Sequence, residues 1–259
     1  MEQQLQVLLT FIENLMLPLI RVSSMMMVMV GISGKTIPAQ VKVTLAIWVV
    51  LAVTPILPPV EVPSLLTFHT YLLVMQQVVI GVAIGFVSMF LLSTFILAGQ
   101  ILAMQTGLGF ASMVDPVNGL NVAAVGQFYL ILATLLFWAF DGHLVFIRYI
   151  IVSFHAIPIN NEWWHAMNYR VIADWAGWMF AAALALSLAP LTAMLLINFS
   201  FGIMTRAAPQ LNVFSIGFPI TMTAGLLIIW LTMGNFLLHF ELQWERVSAL
   251  ACDLVNCRS

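Results

Sequence analysis

The side chains with chemical capacity in this chain are few and lie in apolar surroundings: Arg21, Asp115, Asp141, His143, Arg148, His155 and Arg206. A charge at the centre of a bilayer costs about 2.5–3.5 kcal/mol even on the mildest insertion scale, so each of them calls for a purpose. Asp115 and Asp141 would have to act as an aspartyl pair, yet neither stands in a glycine–aspartate motif. His143 and His155, twelve residues apart on apolar sequence, read as packed side chains rather than metal ligands. There is no G-x-S-x-G elbow, no H-E-x-x-H pair and no phosphate-binding loop. No catalytic, cofactor-binding or metal-binding set is therefore expected. The polar residues read as braces: Asp115 before Pro116 and Asp141 before Gly142 bond nearby amides. Arg206 faces the free carbonyls of a helix C-terminus.

The elements that hold these residues are those of a membrane protein. Of 259 residues, 63% are hydrophobic and 7% charged, too apolar a balance for a soluble core to hide. The net charge of −2 offers no basic field, which excludes nucleic acid as a partner. Cys252 and Cys257, both in the tail, read as incidental thiols. Glu2 and Glu13 stand where a secretory signal would be basic, so the first apolar segment is expected to be kept.

Hydropathy predicts about six long apolar helices with kinks, running from about Leu5–Ile32, Val41–Leu57, Leu65–Ala98, Val122–Ile157, Asp174–Phe199 and Pro219–Leu238. The fourth can be one bent helix or two short ones around Asp141-Gly142-His143. A last amphipathic helix, with Val247, Leu250, Ala251 and Leu254 on one face, is expected at a surface. Gly81 and Gly85, and Ala173, Gly177, Ala181, Ala185 and Ala189, form ridges of small residues. These suit close helix packing, within the chain or against a partner. Met25, Met26, Met27 and Met29 read as adaptable packing or as a flexible seal.

Two stretches break the helical pattern. Residues 200–219 hold Pro209, Asn212, Gly217 and Pro219. The other is soft from Ala98-Gly99-Gln100 and becomes irregular through Gly107-Leu108-Gly109-Phe110-Ala111-Ser112-Met113-Val114-Asp115-Pro116 and on to Asn121. No Asp, Glu, Lys or Arg occurs from residue 62 to 114, so this stretch is embedded in membrane-type sequence. Irregular backbone survives at such depth only when wrapped in protein or lining a wet cavity. That points to passage across a membrane. A stand-alone secondary transporter would use two broken helices in this way, but it should show matching halves, and none are visible. A purely structural scaffold would tolerate changes in the irregular stretch but not in the ridges.

Across nearly its whole length the chain resembles the FliR family of type III export-gate subunits. The resemblance rests on Leu19-Ile20-Arg21-Val22, Ile37-Pro38 with Val41-Lys42, and Gln76-Gln77 with Gly81 and Gly85-Phe86. It continues through Gly107–Ala111, Val114-Asp115-Pro116, Gly142-His143-Leu144 and Phe154-His155. Its most specific part is Ala208-Pro209-Gln210-Leu211-Asn212-Val213-Phe214 followed by Ile216-Gly217-Phe218-Pro219. The resemblance implies an all-α membrane protein in one domain, FliP-like over about residues 1–170 and a FliQ-like hairpin with tail over about 171–259. It implies a non-enzymatic pore subunit in the bacterial inner membrane, assembled with FliP and FliQ beside FlhB and FlhA. Unfolded proteins would pass through it to a flagellum or an injectisome. Gly107, Leu108, Gly109, Phe110, Met113, Val114, Asp115 and Pro116 would belong to a pore plug, with Phe110 and Met113 as its apolar blockers. Arg21, Gln77, Gly81, Gly85, Gly177, Ala181, Ala185, Arg206, Pro209, Gln210, Asn212, Gly217 and Pro219 would serve assembly and the hairpin turn. Val30 stands where the family often has proline, and Gln100 where it commonly has an acid.

Overall fold

In the computed structural model the described residues are 2–34, 37–56, 68–110, 112–114, 121–159, 169–207 and 217–255, with side chains omitted at 2–14, 110, 112–114, 121–122 and 169. The helices are α1 (Glu2–Val28), α2 (Ala39–Val53), α3 (Phe68–Thr106), α4 (Ala124–Ala139), α5 (Gly142–Ala156), α6 (Tyr169–Ala207), α7 (Phe218–Thr232) and α8 (Phe236–Leu254). One of the 3₁₀ turns, Leu108–Phe110, precedes β1 (Ser112–Val114), which pairs antiparallel with β2 (Asn121–Ala123), Met113 opposite Val122.

The all-α membrane class holds, and the segment boundaries shift. Phe68–Thr106, Arg170–Ala207 and Phe218–Leu254 are long and apolar enough to cross a membrane. The pair α4 and α5 becomes a fourth such element if taken as one span bent by 64°. Helix α2, Ala39–Val53, is shorter than a crossing. The soft stretch at Ala98-Gly99-Gln100 is helical, because α3 runs on to Thr106. Its 39 residues would reach about 58 Å at 1.5 Å per residue, nearly twice a hydrocarbon core. Residues 200–207, expected to be broken, continue α6 as helix, since none of them is a proline that would remove a backbone donor.

The described chain forms two compact units. The first comprises Met1–Phe90, Phe137–Asp174 and Val247–Ser259; the second comprises Leu91–Leu136 and Trp175–Arg246. In the first unit Leu17, Met25, Met26, Met29, Ile80, Ile84, Phe137 and Phe146 are fully buried. The methionine cluster thus serves as core there, with Met27 half-exposed. Val247, Leu250, Ala251 and Leu254 are buried in this unit, not laid on a surface. The Tyr149 hydroxyl holds the same turn of α8 by donating to the Ser248 carbonyl at 3.0 Å. Cys252 is disulfide-bonded and so not the free thiol expected; Cys257 lies outside the described residues.

In the second unit Phe95 stacks on Phe236 and Phe240, with centroids 5.0 and 5.7 Å apart, and Tyr129 meets Phe236 edge-on at 5.3 Å. This aromatic block ties α3, α4 and α8 together.

Candidate functional site

Arg21 is the most informative polar residue of the first unit. It sits inside α1, fully buried, and its guanidinium spends its donors on neutral oxygens. Nε donates to Gln77 Oε1 at 2.6 Å. One terminal nitrogen donates to the Ser153 carbonyl at 3.0 Å and to Ser153 Oγ at 3.2 Å. The other donates to the Ile157 carbonyl at 3.1 Å. The Phe154 ring lies 4.3 Å below the guanidinium carbon. Both carbonyls belong to the last turn of α5, where the macrodipole is negative; that of Ile157 lies at the cap, beyond the last intrahelical acceptor, while that of Ser153 also takes the Ile157 N–H at 2.9 Å. Arg21 is therefore a cap supplied by α1 to α5. Gln76 adds a second, weaker hold, Nε2 donating to the Pro158 carbonyl at 3.3 Å.

The glycines of α3 make this reach possible. A Cβ on Gly81 would strike Ser24 Oγ and the Arg21 carbonyl, and one on Gly85 would lie 2.7 Å from the Met25 carbonyl. The two glycines let α1 and α3 meet backbone to backbone, which places Gln77 beside Arg21. One turn further, the Val30 N–H donates to Ser88 Oγ at 3.0 Å. A proline at position 30 would lack that donor. Lys42, also buried, donates to the Ser33 and Gly34 carbonyls at 2.9 and 3.2 Å and closes the turn after α1.

At the joint of α4 and α5, Asp141 adopts a left-handed φ of 53°, and its N–H bonds the Trp138 carbonyl at 3.1 Å. The joint is thus two short helices, as one of the two sequence readings had it. The Asp141 side chain makes no cap bond to α5, so it stops α4 through backbone conformation.

In the second unit the non-helical element is a short hairpin between α3 and α4. Thr106 is buried at the end of α3, and Gly107 takes the left-handed φ of 77°, which turns the chain out of the helix. Leu108 and Gly109 form the 3₁₀ turn with the backbone of Phe110. The backbones of Met113 and Val114 are in β1, while Asp115 and Pro116 lie outside the described residues. The expected irregular loop is thus partly a two-stranded ribbon. Gly126 of α4 lies against Gly99 of α3, where an added Cβ would be 2.6 Å from the Gly126 Cα.

The second small-residue ridge behaves differently from the first. Ala173, Gly177, Ala181, Ala185 and Ala189 are all exposed, and nothing lies within 4 Å of a Cβ on Gly177. Arg206 lies in the last turn of α6 and is exposed. Gly217 is buried just before α7, and Pro219 is exposed in its first turn. Pro209, Gln210 and Asn212 lie outside the described residues. The groups of three or more His, Cys, Asp or Glu that a metal would need are absent among the described residues.

The family described as Bacterial export proteins, family 1, matches residues 12–247. This chain belongs to it. The curated relatives are of FliR type. Flagellar biosynthetic protein FliR of Escherichia coli (strain K12) is 33% identical over 239 residues, covering 92% of this chain and 91% of the relative. The same-named protein of Pectobacterium carotovorum subsp. carotovorum matches with the same identity and coverage. That of Bacillus subtilis (strain 168) is 25% identical over 85% of each chain.

Sequence reasoning had Arg21 and Gln77 as separate motif positions, missed Ser153 as their working neighbour, and did not see the holds that Gln76 and Lys42 make on the Pro158, Ser33 and Gly34 carbonyls. Ser153 carried one faint signal, its place directly before Phe154-His155. Thr106, Phe218 and Gly225, which meet at the root of the hairpin, were also missed as a group. Gly225 had a signal, since Ala224-Gly225 is a small pair directly before the bulky run from Leu226 to Leu231.

Proposed function

We propose that this protein is the FliR-type subunit of a flagellar export gate. It is a non-enzymatic membrane subunit that joins FliP and FliQ in the inner membrane at the flagellar basal body. FlhB and FlhA lie beside it, and unfolded flagellar proteins pass through the assembly. The names of its relatives favour the flagellar role over a virulence injectisome.

The observation that carries the reading is the bare surface of the C-terminal helices. Only 28% of the apolar window of α6 and 17% of that of α7 with α8 is buried within the chain, against 67% for α3. Lipid would cover such a face, but lipid does not need a ridge of Gly and Ala. A close-packing helix does. The hairpin between α3 and α4 serves as the plug, its backbone amides paired in β1 and β2 as an apolar surrounding demands. Phe110 and Met113 are its blockers.

Co-expression with the neighbouring FliP-like and FliQ-like proteins, followed by native mass spectrometry, tests the reading. One copy in a mixed complex is expected. A stable monomer or homo-oligomer that ignores those partners would refute it.

A further inference from the structure

The root of the hairpin is held from one side by α7. Phe218 and Gly225 are seven residues apart and share a face of that helix. The Phe218 ring lies over Gly107, where an added Cβ would be 2.8 Å from Cε2. A Cβ on Gly225 would strike Thr106 Cγ2 and sit 2.7 Å from Thr106 Cβ. Gly225 and Ile229 are buried, while Leu226, Leu227, Trp230 and Leu231 on the other faces are 54–71% exposed. The contact face of α7 is thus narrow, and it centres on the two residues at which α3 ends and the hairpin begins. At the opposite end of the hairpin, β2 runs directly into α4, which is pressed on α3 at Gly99 and Gly126. One end of the hairpin is set by backbone against backbone, and the other by a ring and a notch on α7.

We infer that Phe218 and Gly225 are positioning residues for the plug. The ring of Phe218 fixes the left-handed turn at Gly107, and the notch at Gly225 admits Thr106, so the seat of α7 sets the angle at which the hairpin leaves α3. The inference rests on the plug reading above. It adds that the closed position is controlled from α7, which makes no part of the hairpin itself.

The test uses the assembled gate in cells, with small-ion leak as the readout and the amount of co-purified complex as the control for assembly. Phe218→Ala and Gly225→Ala should leak to within about twofold of the blocker variant Phe110→Gly/Met113→Gly, with assembly unchanged. Phe218→Leu should stay tight. Thr106→Gly/Gly225→Ala, which moves the Cβ from one side of the contact to the other, should restore a tight gate if the two positions act as one pair.

A tight gate in Phe218→Ala and Gly225→Ala while the blocker variant leaks would overturn the inference and leave the plug reading intact. A tight gate in all three would overturn both. A leak in Gly225→Ala that persists in the double variant would overturn the contact with Thr106 as its cause. Should Gly225→Ala fail to assemble, Phe218→Ala decides, because it only removes atoms from a residue that is 39% exposed.

Discussion

Replacing Arg21 tests whether one side chain holds the end of α5. In Arg21→Ala, Gln77 Oε1 and the Ile157 carbonyl lose the Arg21 donor in a buried site, while the Ser153 carbonyl keeps its bond from the Ile157 N–H. Each such orphan costs about 1–3 kcal/mol, and the cavity left by the side chain adds to this. Against it stands the desolvation of a guanidinium whose described partners are all neutral, a burden of several kcal/mol that the alanine variant sheds. Orphaned acceptors and cavity outweigh the relief of desolvation, and the balance is a loss of about 3–5 kcal/mol. For a chain of this size that corresponds to a fall in Tm of roughly 6–20 °C in detergent. The damage should be local as well. The Ile157 N–H bonds the same Ser153 carbonyl at 2.9 Å, so its hydrogen exchange reports the last turn of α5 directly. Faster exchange at Ile157 than at Ile150, in the middle of α5, is expected. Arg21→Lys should fall about halfway, since one ammonium cannot span Gln77, Ser153 and Ile157 together. Unchanged Tm and unchanged exchange at Ile157 in Arg21→Ala would refute the capping argument. An Arg21→Met variant more stable than the parent would show instead that desolvation outweighs the hydrogen bonds.

Other outcomes follow from the same geometry. Gly85→Ala should destabilise the chain by about 1–3 kcal/mol, because its Cβ meets the Met25 carbonyl at 2.7 Å; Gly177→Ala, in open space, should stabilise α6 by up to about 1 kcal/mol. Equal shifts in thermal unfolding for the two would contradict the contrast between the ridges. Ala181→Leu should leave the isolated chain within about 0.5 kcal/mol of the parent while blocking co-purification with FliP-like and FliQ-like partners; retained assembly would show that the exposed ridge faces lipid. Phe110→Gly/Met113→Gly should loosen the closed gate to small ions, and an unchanged leak in cells with assembled gates would remove the plug role.

Composition and hydropathy by themselves determined the membrane class. They did so because burial of that much apolar surface is a bulk property, independent of where each residue ends up. The break at Gly107 was legible for a local reason: a left-handed turn after a helix wants glycine, and position 107 has it. The spare ridge on α6 could be read from spacing, as could the ridge at Gly81 and Gly85. Nothing in spacing told the two apart; one is filled by the backbone of α1 and the other stands open, which depends on what the fold brings alongside. The same limit hid the partners of Arg21. Its charge marked it as special, but Gln77 is 56 positions away and Ser153 is 132. The length of α3 was also misjudged, because Gly99 looked like a breaker until the close approach of Gly126 gave it a packing role. Val247, Leu250, Ala251 and Leu254 make one apolar stripe, and a stripe states only that it must be covered. Tertiary structure decided that the first unit covers it, because hydrophobic periodicity identifies a face and only the fold chooses its partner.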